Sequence, residues 1–119
     1  MFKGLLLKES LDDLGVLDAL HITRTETWQV DHPGPGQPSV WTAISFVEPT
    51  GRADPIADAL SRALKVKSWY INASTGAFAY VIFPCKVFKY RRGDAAQRAS
   101  AREYGRLIDI PENQLDWKD

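Results

Sequence analysis

The stretch 77-AFAYVIF-83 limits the possible folds of this chain more than any other. With a period of two, Phe78, Tyr80 and Ile82 fall on one side and Val81 and Phe83 on the other. A strand that is apolar on both sides is covered on both sides. The segment 68-SWYINAS-74 behaves alike at its start, with Trp69 and Ile71 set against Tyr70. Thr75-Gly76 between the two predicts a tight hairpin. The fold must therefore lay material above and below this hairpin.

The remaining elements follow from periodicity and punctuation. Residues 2-FKGLLLK-8 predict a first strand. Ser10 then predicts a helix cap, with Leu11, Leu14 and Leu17 as a short stripe that ends near Leu20. Residues 21–31 alternate, Ile22, Trp28 and Val30 against Thr-rich positions, which predicts a strand with one wet face. The segment 32-HPGPGQP-38 excludes both helix and central strand, and residues 39–48 alternate again, so a hairpin with a mobile tip is expected. Asp54-Pro55 predicts the start of a second helix, whose apolar face is Ile56, Ala59, Leu60, Ala63 and Leu64. Beyond Pro84, 86-KVFKYR-91 predicts either a bent continuation of the strand or a separate short one. Asp94 caps a third helix, Pro111 stops it, and Leu115 and Trp117 of the tail are expected to fold back as plugs.

This order predicts a single α+β domain over residues 1–119. Its core is a ferredoxin-like (split βαβ) antiparallel sheet with helices on one face, plus an extra hairpin strand and a C-terminal helix. No apolar run approaches the roughly 20 residues of a membrane span. The N-terminal MFKGLLLKES is too short for a signal-peptide core, and one cysteine builds no disulfide framework, so a cytoplasmic location is expected. Net charge is zero but uneven in sequence. Residues 1–60 carry four Lys/Arg against nine Asp/Glu, and residues 61–119 carry eleven against six, balances of −5 and +5.

The residues that carry chemistry are sparse. Two histidines, His21 and His32, and the single Cys85 stand apart in sequence, so neither a nucleophilic triad nor a zinc site is indicated. Cys85 is expected to pack rather than react. The run 9-ESLDD-13 lacks the spacing of a calcium loop and is expected to favour a helix N-terminus. The G-x-G of residues 34–36 lacks the setting of a phosphate loop. No catalytic residue, metal or cofactor is assigned.

Two surfaces stand out instead. Trp41, Trp69, Tyr70, Phe78 and Tyr80 lie on expected strands and are candidates for contact through a sheet face. Lys89, Arg91, Arg92, Arg98, Arg102 and Arg106 form an anion-binding patch if the strand cations stand beside the arginine ridge of the third helix. The leading expectation is a non-enzymatic interaction domain that forms a homodimer through its sheet. A nucleic-acid or phospholigand binder using region 86–106 is the alternative, not favoured given the zero net charge. A small enzyme with a pocket between sheet and tail, and His21 or Cys85 as its titrating group, is the third.

Overall fold

The computed structural model describes residues 1–34, 36–66 and 69–117. Pro35 of the Pro/Gly loop, Ser68 of the expected hairpin strand, and Lys118 and Asp119 of the tail lie outside the described residues. The chain forms strands β1 (Phe2–Leu7), β2 (Ile22–Gln29) and β3 (Val40–Glu48), helix α1 (Ala53–Ala63), strands β4 (Ile71–Ser74), β5 (Phe78–Phe83) and β6 (Lys86–Arg91), and helix α2 (Ala95–Leu107). The strands make one antiparallel sheet in the order β2-β3-β1-β4-β5-β6. β3 sits between β1 and β2, and β1 between β3 and β4. The first four strands thus follow the split βαβ plan, and nothing in the α+β arrangement conflicts with the ferredoxin-like expectation. β5 and β6 extend it as a meander.

The first crossover is not the α-helix expected from Ser10. It holds 3-10 turns at Lys8–Ser10 and Leu14–Ala19. Leu11 is extended and forms an isolated bridge with Leu64, which removes the residue that would begin the helix. The Ser10 hydroxyl bonds back to the Leu7 carbonyl at 2.5 Å instead of capping forward. Asp13 accepts from the Gly15 N–H at 2.9 Å, and Gly15 itself costs about 1 kcal/mol in a helix. Glu9 does not serve a helix terminus either. Its carboxylate accepts from the Thr42 N–H and hydroxyl, both at 2.7 Å, and ties the end of β1 to β3.

Helix α1 lies on one face of the sheet. Its apolar stripe buries Ile56, Leu60 and Ala63 against Phe2, Leu6, Ile44, Phe46, Ile71 and Ile82. Val16, Leu17 and Leu20 of the crossover pack on the same cluster. Each fully buried Leu or Phe here contributes about 1.5–3 kcal/mol. The helix starts one residue before the expected cap, at Ala53, and Asp54 makes no cap. The Asp54 carboxylate accepts instead from the Tyr80 hydroxyl at 2.6 Å and from Lys89 Nζ at 3.2 Å.

Helix α2 and the tail take the opposite face. Ala101 packs with Ala79, Val81, Phe83 and Tyr90, and the Phe83 ring meets Tyr104 at 5.0 Å. The apolar character of β5 on both parities is thereby satisfied within the chain. Gly93, at φ 88°, breaks β6, and Asp94 accepts from the Gln97 N–H at 3.1 Å as the expected cap. The helix ends in a Schellman turn, Ile110 N–H to Gly105 C=O at 3.1 Å and Asp109 N–H to Arg106 C=O at 3.2 Å. Asp109 takes the left-handed position, φ 66°, that glycine usually fills. Pro111 follows and sends the tail back across the sheet.

Three further expectations need correction. Cys85 is exposed, not packed. Pro84-Cys85 is a two-residue turn between β5 and β6, and Cys85 holds φ 58° at the position where such a turn needs a left-handed residue. This also separates β6 from β5 as a strand of its own. Second, β2 is wet on both sides, with Glu26 alone half-buried, because neither layer extends over it. Third, the hairpin strand begins at Ile71, short of the expected start.

The charge imbalance of the sequence does not divide the sheet into acidic and basic halves. β1, β2 and β3 carry Lys3 and Arg24 against Glu26 and Glu48, whereas β6 carries Lys86, Lys89 and Arg91, and Asp54 of α1 pairs with Lys89.

The Glu9 clamp gives a pH test. Partial burial opposes its ionisation, but the two hydrogen bonds from Thr42 outweigh that and hold its pKa below the ordinary glutamate value. A lowered folded pKa means stability that is present above the unfolded value and lost as pH falls through the folded one. Glu9→Gln is expected to cost on the order of 1 kcal/mol at pH 7, the net worth of a hydrogen bond. The difference from wild type should begin to close as pH falls below the ordinary glutamate value of about 4.3 and vanish only once pH has passed the lowered folded pKa. Urea midpoints measured from pH 7 to 3 check this. A gap that stays constant with pH would remove the charge from the explanation.

Candidate functional site

The α2 face is covered over β5 and β6. Where the tail crosses, it builds a wall beside the open β1–β3–β2 half. Three contacts hold it. Leu115 sits over Gly105, where an added Cβ would lie 2.7 Å from Leu115 Cδ2. The Trp117 indole N–H donates to the Tyr90 hydroxyl at 3.0 Å, and its ring stacks 5.3 Å from Tyr70. Arg102 lies over the Trp117 ring at 5.2 Å and donates to the Trp117 carbonyl at 2.9 Å. The expected plugs, Leu115 and Trp117, are in place.

Gly34 and Gln37 of the Pro/Gly loop dock on the tail. The amides of Gln37 and Gln114 exchange hydrogen bonds at 2.8 and 3.2 Å. Gly34 lies so close to Pro111 that a Cβ would meet the proline ring at 2.6 Å. Gln37 also accepts from the Gly34 N–H at 2.7 Å. A glutamine pair thus joins residues far apart in sequence.

Between the tail and the open half of the sheet lies a groove of about 430 Å³. Trp28, Trp41, Trp69, Tyr70 and Trp117 form its sides, and Leu5 and Leu7 contribute apolar floor. Trp28 and Trp41 face each other across the β2–β3 ladder, and Trp41 meets Trp69 at 5.5 Å with the rings inclined at 62°. The polar groups are Asn72, Asn113, Gln114 and Asp116. The groove continues past Trp28 into a more open depression bordered by Asp31 and His32.

Most of this lining is pre-set. Trp41 donates its indole N–H to the Pro38 carbonyl at 2.8 Å. The Tyr70 hydroxyl donates to the Gln114 carbonyl. Burial, and then the nearby Asp116 carboxylate, push the Tyr70 pKa up, so the phenol is neutral at physiological pH. Among the described residues that line the groove, Asp116 alone carries a charge. Trp28, 37% exposed, is the open wall.

The aromatic candidates divide between the faces. Trp41, Trp69 and Tyr70 meet in the groove, whereas Phe78 and Tyr80 lie on the α1 face. There Lys89 stands 4.8 Å from the Phe78 ring and Arg91 5.6 Å from it. The Tyr80 hydroxyl and then Lys89 hold the Asp54 carboxyl below the usual carboxylate range. This cluster answers its own charges.

The six cations do not form one patch. Lys89 and Arg91 face α1, and α2 lies on the other side of the sheet. Arg92 donates to the Thr75 carbonyl at 3.2 Å. Arg102 fastens the tail, and its Nε is buried without a hydrogen-bond partner. Arg106 is clamped by Glu112 and Glu103. Arg98 is half-buried on α2. Neither His21 nor Cys85, the titrating groups of the enzyme expectation, lines the groove.

Sequence reasoning missed Trp28 as a groove wall and the docking of the loop. It also missed Glu48, a fully buried carboxylate that accepts from the His21 N–H at 2.5 Å and from Arg52 at 2.9 Å. The signal for that pair was an acid at a strand end with an arginine four residues on.

Comparison of the chain with protein-family models, curated proteins and solved structures gives no match in any of the three. Among the described residues no helix is long and apolar enough to cross a membrane, and no cluster of three or more His, Cys, Asp or Glu could hold a metal ion.

Proposed function

We propose that this protein is a binding domain whose ligand surface is the aromatic groove beside the tail. The observation that carries the proposal is the lining: among the described residues it has five aromatic side chains, a single carboxylate, Asp116, and no cation. Ring faces beside a carboxylate favour a cationic group, through the ring quadrupole and direct attraction together. The ligand class is therefore a guanidinium or ammonium group on a small molecule or peptide. Binding is favoured over catalysis because the lining offers amides, indoles and one carboxylate, without a nucleophile paired to a base. Self-association through the sheet is the second part of the proposal, supported by a β2 that is uncovered on both faces.

The test is a titration followed by the indole N–H resonances. Ac-Gly-Arg-Gly-NH₂ is expected to shift Trp28, Trp41 and Trp69, and Ac-Gly-Glu-Gly-NH₂ to leave them unmoved. Trp28→Ala should weaken the arginine peptide about tenfold, the worth of one well-placed cation–π contact. Equal response to both peptides, or to neither at millimolar concentration, removes the cation-binding claim.

A further inference from the structure

We propose that a second copy of this chain docks along β2 by antiparallel edge pairing centred on Thr25. The proposal rests on the self-association reading and specifies its surface. β2 is an edge strand of eight residues, and seven of them are exposed. An antiparallel pair of identical strands that continues the sheet places residues of the same face opposite each other. In β2 that restricts the two-fold to a residue rather than a gap between residues.

The charges select which residue. Arg24 and Glu26 lie on one face of β2, joined at 3.0 Å. With the two-fold on Thr25, Arg24 of each copy stands opposite Glu26 of the other, which makes two reciprocal cross-strand pairs. With the two-fold on Arg24 or on Glu26, like charges stand face to face. Thr25 meets Thr25, and the exposed Ile22 and Trp28 fall at the two ends of the paired segment. The bulge between Ile22 and Arg24 limits regular pairing at one end and fixes how far the partner strand can slide.

The other edge is unsuited to this. β6 carries Lys86, Lys89 and Arg91 within six residues, so two copies joined there bring cations together. Joining β2 of one copy to β6 of the next generates an open chain rather than a closed pair. The edge-to-edge pair is isologous and closes.

Sedimentation equilibrium on the full chain tests the proposal. Wild type is expected at twice the 13.4 kDa chain mass at micromolar to hundred-micromolar concentration. Glu26→Arg and Arg24→Glu alone should each raise the dissociation constant at least tenfold, since each sets like charges opposite one another. The double exchange, Arg24→Glu with Glu26→Arg, should restore the pair. An equimolar mixture of the two single variants should also recover a two-subunit mass, because their strands are complementary to each other and not to themselves. Circular dichroism of each variant separates lost pairing from lost folding. A wild-type monomer at these concentrations overturns self-association altogether. A wild-type dimer that the single variants leave unchanged overturns only the β2 register. Mass that keeps rising beyond two subunits overturns it in favour of the open chain.

Discussion

Trp117→Ala is expected to lower the free energy of unfolding by about 3–5 kcal/mol, the range for removing a buried tryptophan. Against a total of roughly 5–15 kcal/mol for a domain, that is a large fraction for one side chain. The size follows from its surroundings. The ring is 6% exposed, packs against Tyr70 and under Arg102, and satisfies the Tyr90 hydroxyl. Alanine keeps the carbonyl that Arg102 bonds, so the loss comes from the ring: its area, the cavity left behind and the hydrogen bond its N–H donates to the Tyr90 hydroxyl. Trp117→Phe should cost less, since it retains most of the area and gives up the N–H. Urea unfolding with unchanged slope checks the ranking. A loss under 1 kcal/mol for alanine would mean that the tail does not hold this position in solution, and the groove would lose a wall with it. Arg102 has the same duty from the other side, so its exchange for glutamate reports on tail docking before it reports on any anion.

The sequence made this packing partly legible. β5 was apolar on both parities, which required two covering layers, and the tail carried two large apolar residues after a proline. What periodicity could not show was how the layers divide the sheet. Leu11 has the spacing of a helical stripe, yet it pairs with Leu64, a partner 53 residues away that no local pattern names. Asp54 has the right neighbour for a cap, and Tyr80 and Lys89 capture it instead. Cys85 follows a proline near a strand end, where a longer strand would have buried it; a two-residue turn exposes it. In the first two cases a tertiary contact outcompetes a local preference worth about 1 kcal/mol.

The groove was legible in its residue types and hidden in its geometry. Trp41, Trp69 and Tyr70 stood out as strand aromatics, but their separation from Phe78 and Tyr80 depends on the strand order. Loop docking depends on two glutamines, Gln37 and Gln114, that carry no signal singly. The cations show the converse. Their spacing was plain, but Lys89 and Arg102 belong to opposite faces, so sequence proximity overstated their cooperation.

Gly4→Ala is the sharpest test of the sheet's centre, because local preference and packing predict opposite signs. Glycine inside a strand costs about 0.5–1 kcal/mol relative to alanine, so the exchange should stabilise β1 if nothing stands in the way. Something does. A Cβ on Gly4 would lie 2.7 Å from the Ala73 Cβ, 3.0 Å from the Asn72 carbonyl oxygen and 3.0 Å from the Phe46 ring. Ala73 has no rotamer with which to retreat, and the carbonyl belongs to the neighbouring strand, so relief requires β1 and β4 to separate. Overpacking of this kind costs about 1–3 kcal/mol, which outweighs the gain in propensity. The expected outcome is a net loss of stability, read as a lower urea midpoint. Ala73→Gly removes the nearest clash but leaves the other two. The double variant Gly4→Ala/Ala73→Gly should therefore be more stable than the sum of its parts, with a coupling of at least about 0.5 kcal/mol. Additive effects, or a Gly4→Ala protein more stable than wild type, would mean that β1 and β4 are not in such close contact at this point.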